Sequence, residues 1–229
     1  MAHGFTLRLC VLAGVAACFT GSAVLESPSK EEEVVVQEKF SGKLAAGWSW
    51  VREDTKAWRL TERGLEVQTQ PGNMWGKTND AKNLLQRDAP DASKGAVIAE
   101  VTVKNEPTEQ YEQAGITWYH DDSNMVKLVK ERVDGKVHVV MGREENDATR
   151  TIALLPKEGV SFQLRLRVEG QKITGSYRID EKGEWQEAGS CDLPAAKAPA
   201  KVCLQTYNGP AKAEHWVVFS GFSIRKVKG

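Results

Sequence analysis

The sequence predicts an all-β protein, a two-sheet sandwich of the jelly-roll kind, and three observations lead there. Apolar and polar residues alternate with a period of two over several segments. Gly, Asp, Asn and Pro punctuate those segments at short intervals. No segment sustains a helical period. Lys plus Arg and Asp plus Glu both total 31, so the net charge is zero and no global field draws in nucleic acid.

The first element is an export signal, residues 1–23. Arg8 gives a basic start, and Leu9 to Ala17 is an apolar stretch ending in small residues, too short to span a bilayer. Val15-Ala16-Ala17-Cys18 has the form of a lipobox, with Cys18 as the lipidated residue; cleavage after Ala23 fits equally. Export to the periplasm, cell surface or medium is therefore expected, and membrane contact only through such a lipid anchor. Residues 24–38, rich in Ser, Pro, Lys and Glu, read as a solvated linker. Residues 39–229 are long enough for one sandwich domain with a full core.

Tryptophans mark the next elements. Trp48 and Trp50 alternate with Ser49 and share a face, while Trp58, Trp185 and Trp216 read as core. Trp75 differs. It lies in Gly72-Asn73-Met74-Trp75-Gly76-Lys77, a turn-rich stretch without alternation, where an aromatic ring is a ligand candidate. Strands follow. Val97, Ala99, Val101 and Val103 point one way over 96–104; Val160, Phe162, Leu164, Leu166 and Val168 do so over 160–168. Residues 173–179, 202–207 and 216–224 continue the series.

The middle of the chain fixes a register. Asp134-Gly135 is a two-residue hairpin turn that pairs Val133 with Lys136, so Glu131 faces His138 and Leu128 faces Met141. An even count through the turn Asp121 to Asn124 sets Lys127 opposite Trp118 and Val126 opposite Tyr119. One face then carries Tyr119, Val126, Leu128, Val139 and Met141 as core. The other carries Trp118, Lys127, Glu131 and His138. An aromatic ring beside planar polar groups suits the apolar face and the hydroxyls of a sugar. The same residues also suit a solvated sheet face with an ordinary Lys127–Glu131 ion pair. Trp75, Arg87 and Glu100 complete the ligand-binding candidates.

Catalytic and metal arrangements are missing. No strand carries the paired carboxylates of a sandwich glycosidase, and there is no nucleophile elbow and no paired-histidine zinc motif. Asp121-Asp122 beside His120 offers oxygens to calcium, but an ordinary turn explains it, so neither metal nor cofactor is expected. Of four cysteines, Cys10 and Cys18 fall in the signal. Cys191 and Cys203 remain, and export makes a disulfide between them available; two buried thiols are the alternative.

Several stretches resemble a known family. Gln113-Ala114-Gly115-Ile116-Thr117-Trp118-Tyr119, with Asp121-Asp122, Asn124, Val126-Lys127 and Glu131, is similar to domain-of-unknown-function family 1349, the "regulation of enolase protein" group. Phe40, Leu44, Trp48-Ser49-Trp50, Gly64-Leu65 and Leu84-Leu85-Gln86-Arg87 follow the same pattern, as do Val218-Phe219 and Phe222-Ser223-Ile224. The family's Asp-Gly-x-x-Trp stretch is lengthened here to Asp180-Glu181-Lys182-Gly183-Glu184-Trp185. The resemblance implies a concanavalin A-like lectin/glucanase jelly roll with a concave face, kin to the C-terminal sandwich of family 43 β-xylosidases. It carries over no settled activity. Three functions follow as expectations: first a non-catalytic module binding a glycan or polysaccharide on the concave face, then a structural or protein-interaction domain, and last a glycosidase-like enzyme using Glu100 or Glu131.

Overall fold

The computed structural model describes Met1, residues 31–179 and residues 181–228. The export signal, Cys18 and the cleavage site lie outside the described residues. In chain order the strands begin with β1 (Glu32–Glu38), β2 (Ser49–Val51), β3 (Trp58–Thr61), β4 (Gly64–Gln68) and β5 (Leu84–Asp88). Then come β6 (Val97–Lys104), β7 (Gln113–Asp121), β8 (Asn124–Val133), β9 (Lys136–Glu145) and β10 (Ala148–Pro156). The last are β11 (Ser161–Glu169), β12 (Lys172–Arg178), β13 (Gln186–Asp192), β14 (Lys201–Tyr207) and β15 (Trp216–Val227). A single 3₁₀ turn, Ala92–Lys94, is the one helical element among the described residues.

These strands form two antiparallel sheets. One runs β13-β12-β11-β6-β15-β4-β3, with β1 added along β15; the other runs β10-β9-β8-β7-β14-β5-β2. The predicted sandwich is the observed one. Its main core lies between the sheets, where Val97, Ala99, Val101, Val103, Phe162, Leu164, Leu166 and Val168 meet Ile116, Val126, Leu128 and Met141. The period-two alternation arises because successive side chains leave a strand on opposite faces.

Residues 32–38, expected in the linker, instead form β1. The Glu-rich composition misleads because the carboxylates of Glu31, Glu32 and Glu33 are exposed at the start of the strand. Glu32 pairs with Arg225 at 2.9 Å and Glu31 with Lys228 at 2.9 Å. The strand signal was the valine run Val34 to Val36, of which Val36 packs on the core. Glu38 closes the strand, its buried carboxylate accepting from the N–H groups of Phe40 (2.8 Å) and Ala45 (3.1 Å).

The β8–β9 hairpin has the predicted register, with Glu131 opposite His138 and Leu128 opposite Met141. The β7–β8 register differs by one residue. Asp121 does pair with Asn124, but a bulge at His120 places Tyr119 opposite Met125, Trp118 opposite Val126 and Thr117 opposite Lys127. His120 is held there by donating from Nδ1 to Ala198 O at 2.8 Å. Trp118 therefore faces the inter-sheet core, and Tyr119 faces outward with Lys127.

The expected disulfide is absent: Cys191 and Cys203 are both free and buried. Cys191 sits in β13 and faces the inter-sheet core, whereas Cys203 sits in the other sheet, on its outer face. A sheet thickness separates the two thiols. Trp185 and Trp216 also depart from the core reading. They lie on the outer face of the eight-stranded sheet, Trp185 stacked on Arg165 and Arg178 at 3.8 and 4.6 Å and Trp216 on Arg59 at 4.2 Å.

Candidate functional site

The outer face of the seven-stranded sheet is built in rows, because residues paired across antiparallel strands share a face. One row is Gln113–Glu131–His138, the next Gly115–Val129–Val140, then Thr117–Lys127–Gly142, then Tyr119–Met125–Glu144. Residues 69–83, connecting β4 to β5, fold over the last two rows. Met74 is fully buried there against Leu84, Tyr119, Met125, Cys203 and Tyr207. Asn73 shapes the loop: its backbone carbonyl accepts from the Asp80 and Ala81 N–H groups, and its side-chain amide brackets Trp75 N and O.

The edge of the Trp75 ring packs onto β9 where position 142 is glycine. A Cβ at Gly142 would come within 2.5 Å of the Trp75 ring. The loop is pinned beyond it by Gly76 N donating to Glu144 Oε2 at 3.0 Å. The ring in turn covers Lys127, whose Nζ lies 4.3 Å from its centroid, a cation–π contact to a buried ammonium.

Lys127 is 3% exposed. Its ammonium donates to Gln113 Oε1 at 2.8 Å and Tyr207 Oη at 3.2 Å, and faces Glu131 Oε2 at 3.7 Å. The last distance is an ion pair but too long for a hydrogen bond. Glu131 Oε2 is thus buried without a hydrogen-bond partner among the described residues. Burial pushes the Lys127 ammonium down and the Glu131 carboxyl up, each offset in part by the other's charge. Burial also raises Glu144, to about 7, and lifts the Tyr207 phenol well above its usual range.

In front of these groups opens a cleft of about 540 Å³. Trp75 and Asn73 wall one side, Tyr111 and Val133 the other. Gln113, Lys127 and Glu131 form the floor, with Val140, Thr151 and Leu154 toward β10 and Asn208 at the opposite end. Aromatic rings, an amide and one acceptor-rich carboxylate converge on one space, the composition that orients a polar ligand of sugar size. Glu131 is the one carboxylate among its described lining residues.

The structure brings Trp75, Lys127, Glu131 and His138 to this face, His138 beside Glu131 and held by donating from Nδ1 to Lys136 O at 3.0 Å. Three predicted residues belong elsewhere. Trp118 is core, 2% exposed. Arg87 points to the core side of β5, its guanidinium 5.0 Å from the Trp48 ring and its charge disfavoured by burial. Glu100 lies on the outer face of the other sheet, bonded to Arg165 and to Arg225. Sequence reasoning missed Tyr111, Gln113, Tyr207 and Glu144. Only Glu144 was within reach, since the β8–β9 register already sets it opposite Met125.

Residues 37–209 match the model of the beta xylosidase C-terminal Concanavalin A-like domain. Among solved structures, the GH43 protein BlXynB of Bacillus licheniformis superposes with a TM-score of 0.73 at 21% identity, over 84% of this chain and 39% of that one. A xylan beta-1,4-xylosidase of Bacillus halodurans gives 0.69 at 16% identity, over 89% and 40%. A functionally unknown protein of Saccharomyces cerevisiae gives 0.66 at 17% identity, over 80% of this chain and 98% of that one. At these identities the likeness is one of fold, and the chain spans well under half the length of the two bacterial proteins. No curated protein matches its sequence.

Proposed function

The chain belongs to the family of beta xylosidase C-terminal Concanavalin A-like domains, and from that membership we propose that it is an exported, non-catalytic module that binds carbohydrate. Within that fold group we place it with domain-of-unknown-function family 1349, on the order of its motifs from Phe40 to Ile224. The ligand site is the cleft on the outer face of the seven-stranded sheet, the concave face the family resemblance implies. The observation that carries this reading is the buried Glu131 carboxylate at the floor of a cleft walled by Trp75, its Oε2 facing Lys127 at 3.7 Å with no hydrogen bond among the described residues. A buried acceptor short of a hydrogen bond costs free energy, about 1–3 kcal/mol, and a ligand hydroxyl that reaches it by shifting the side chains above recovers part of that cost. Trp75 supplies the ring for the apolar face of a pyranose.

The hydrolase reading is disfavoured by spacing. A second carboxylate on this sheet face is Glu144, six residues beyond His138 on the strand that carries Glu131's partner. That sets the two glutamates three rows apart along the sheet, with Lys127 between them, rather than side by side as a paired glycosidase acid and nucleophile would stand. Glu144 is also occupied under the loop by Gly76.

A glycan array on the purified protein, including β-1,4-linked xylo-oligosaccharides, tests the proposal. Binding is expected in the wild type, lost in Trp75→Ala and weakened in Glu131→Gln, which keeps an acceptor but removes the charge. Retained binding in both variants, or an array with no signal, overturns it.

A further inference from the structure

The cleft continues past the end of β14. A second hollow of about 510 Å³ adjoins it, and Asn208 lines both. The same two loops wall both spaces: Pro71 and Gly72 precede Asn73 and Trp75 on one side, and Glu109 and Gln110 precede Tyr111 on the other. Together they make one channel, aromatic at the sheet and shallower over Gly209 and Pro210.

Two residues at the junction have left-handed backbone, Tyr111 at φ 64° and Asn208 at φ 58°. Asparagine tolerates that conformation; tyrosine is uncommon there. The surroundings fix it. Tyr111 N donates to Arg132 O at 2.7 Å, and Tyr111 O accepts from Gln113 Nε2 at 3.0 Å. Glu112, buried next to it, accepts from the Thr108 and Glu109 N–H groups at 2.7 and 3.0 Å. Gln110 is clamped to Asp134 by two hydrogen bonds. The result is a ring left 51% exposed at the mouth of the cleft. An unfavourable backbone held by several hydrogen bonds to present an aromatic side chain to solvent points to a contact made by that side chain.

We propose that Tyr111 and Asn208 form a second sugar subsite, so that the protein binds an oligosaccharide of two or more units running from the Trp75 cleft out over Gly209 and Pro210. This rests on the glycan reading of the cleft. The Tyr111 ring offers a stacking surface to the second unit, and the Asn208 amide, on a backbone fixed by its N–H donating to Gly72 O at 3.1 Å, offers both a donor and an acceptor.

Calorimetry with β-1,4-linked xylo-oligosaccharides of increasing length, and cello-oligosaccharides alongside, tests it. Tyr111→Gly is the informative variant, since glycine holds a positive φ without a Cβ and the loop keeps its shape. Wild-type affinity is expected to rise with length from one unit to three. Tyr111→Gly should remove the gain in affinity between one unit and three, roughly threefold to tenfold, the worth of one stacked ring, so that the ratio of the two affinities falls toward one. Affinity independent of length, or a length gain that survives in Tyr111→Gly, overturns the second subsite while the cleft stands. Absence of binding at every length in both series overturns the glycan reading itself.

Discussion

Trp75 and Trp118 bring the same side chain to opposite sides of one sheet, and their consequences on mutation separate accordingly. Trp118 is packed between the sheets with Ile116, Val126 and Leu128, and its indole N–H has no hydrogen-bond partner. Its contribution is therefore packing alone. Trp118→Ala should cost about 3–5 kcal/mol in urea unfolding, the usual range for a buried aromatic residue truncated to alanine. Trp75 caps a polar cluster from a loop, so its loss should affect ligand affinity far more than stability. A Trp118→Ala protein of near wild-type stability would contradict the core placement. Glu131 shows why neither role follows from residue type. It is a solvated ion-pair partner if the sheet face is open, but a buried acceptor once Trp75 and Tyr111 close over it.

At the scale of elements, the β8–β9 hairpin was legible because Asp134-Gly135 is a turn with one geometry; both residues have positive φ, 49° and 78°. Register then propagated along both strands without interruption. The β7–β8 turn was not legible to the same degree. Its closing pair Asp121–Asn124 was implied by the sequence, but a bulge adds one residue without a composition signal, and His120 reads like any polar strand residue. One residue of offset moved Trp118 into the core and brought Tyr119 to the cleft side. The 69–83 loop was legible only as a loop; that it folds back over the sheet depends on Gly142 in β9, with four strands between them in sequence. Gly142→Ala tests that dependence, because its Cβ would clash with the far edge of a movable ring. The expected result is displaced Trp75, read as a red-shifted indole emission and weakened glycan binding, with little change in melting temperature. By contrast, a Cβ at Gly115 would meet Leu128 O at 2.3 Å, so Gly115→Ala should destabilise β7–β8 pairing itself.

Across the whole molecule, the two outer sheet faces treat charge differently, and this should set the pH dependence of stability. The eight-stranded sheet answers its buried carboxylates with arginine, as Glu66 with Arg59 and Arg63 at 2.7 and 2.5 Å. The seven-stranded sheet does not. Among the described residues Glu144 has no ion-pair partner within contact; it receives one N–H from Gly76, and feels Asp147 and Asp122 as well as Lys127. Burial is the main reason its carboxyl titrates near 7 when folded, against 4.5 for the free group. Glu131 is raised in the same direction by burial, despite Lys127 and His138. Between those values the folded state holds a proton that the unfolded state has released, so stability falls as pH rises from about 4.5 to about 7. Above that range the penalty is complete and constant. Glu144→Gln removes the titration while its amide oxygen still accepts from Gly76. The wild type should therefore lose between about 1 and 3 kcal/mol in urea unfolding from pH 5 to pH 8, and the variant should lose distinctly less. The variant should also be the more stable of the two at pH 8 and nearly equal at pH 5. A wild-type profile that is flat or rising over this interval, or a variant with the same slope, would show that Glu144 ionises at no cost and that the ground beneath Trp75 is open to water.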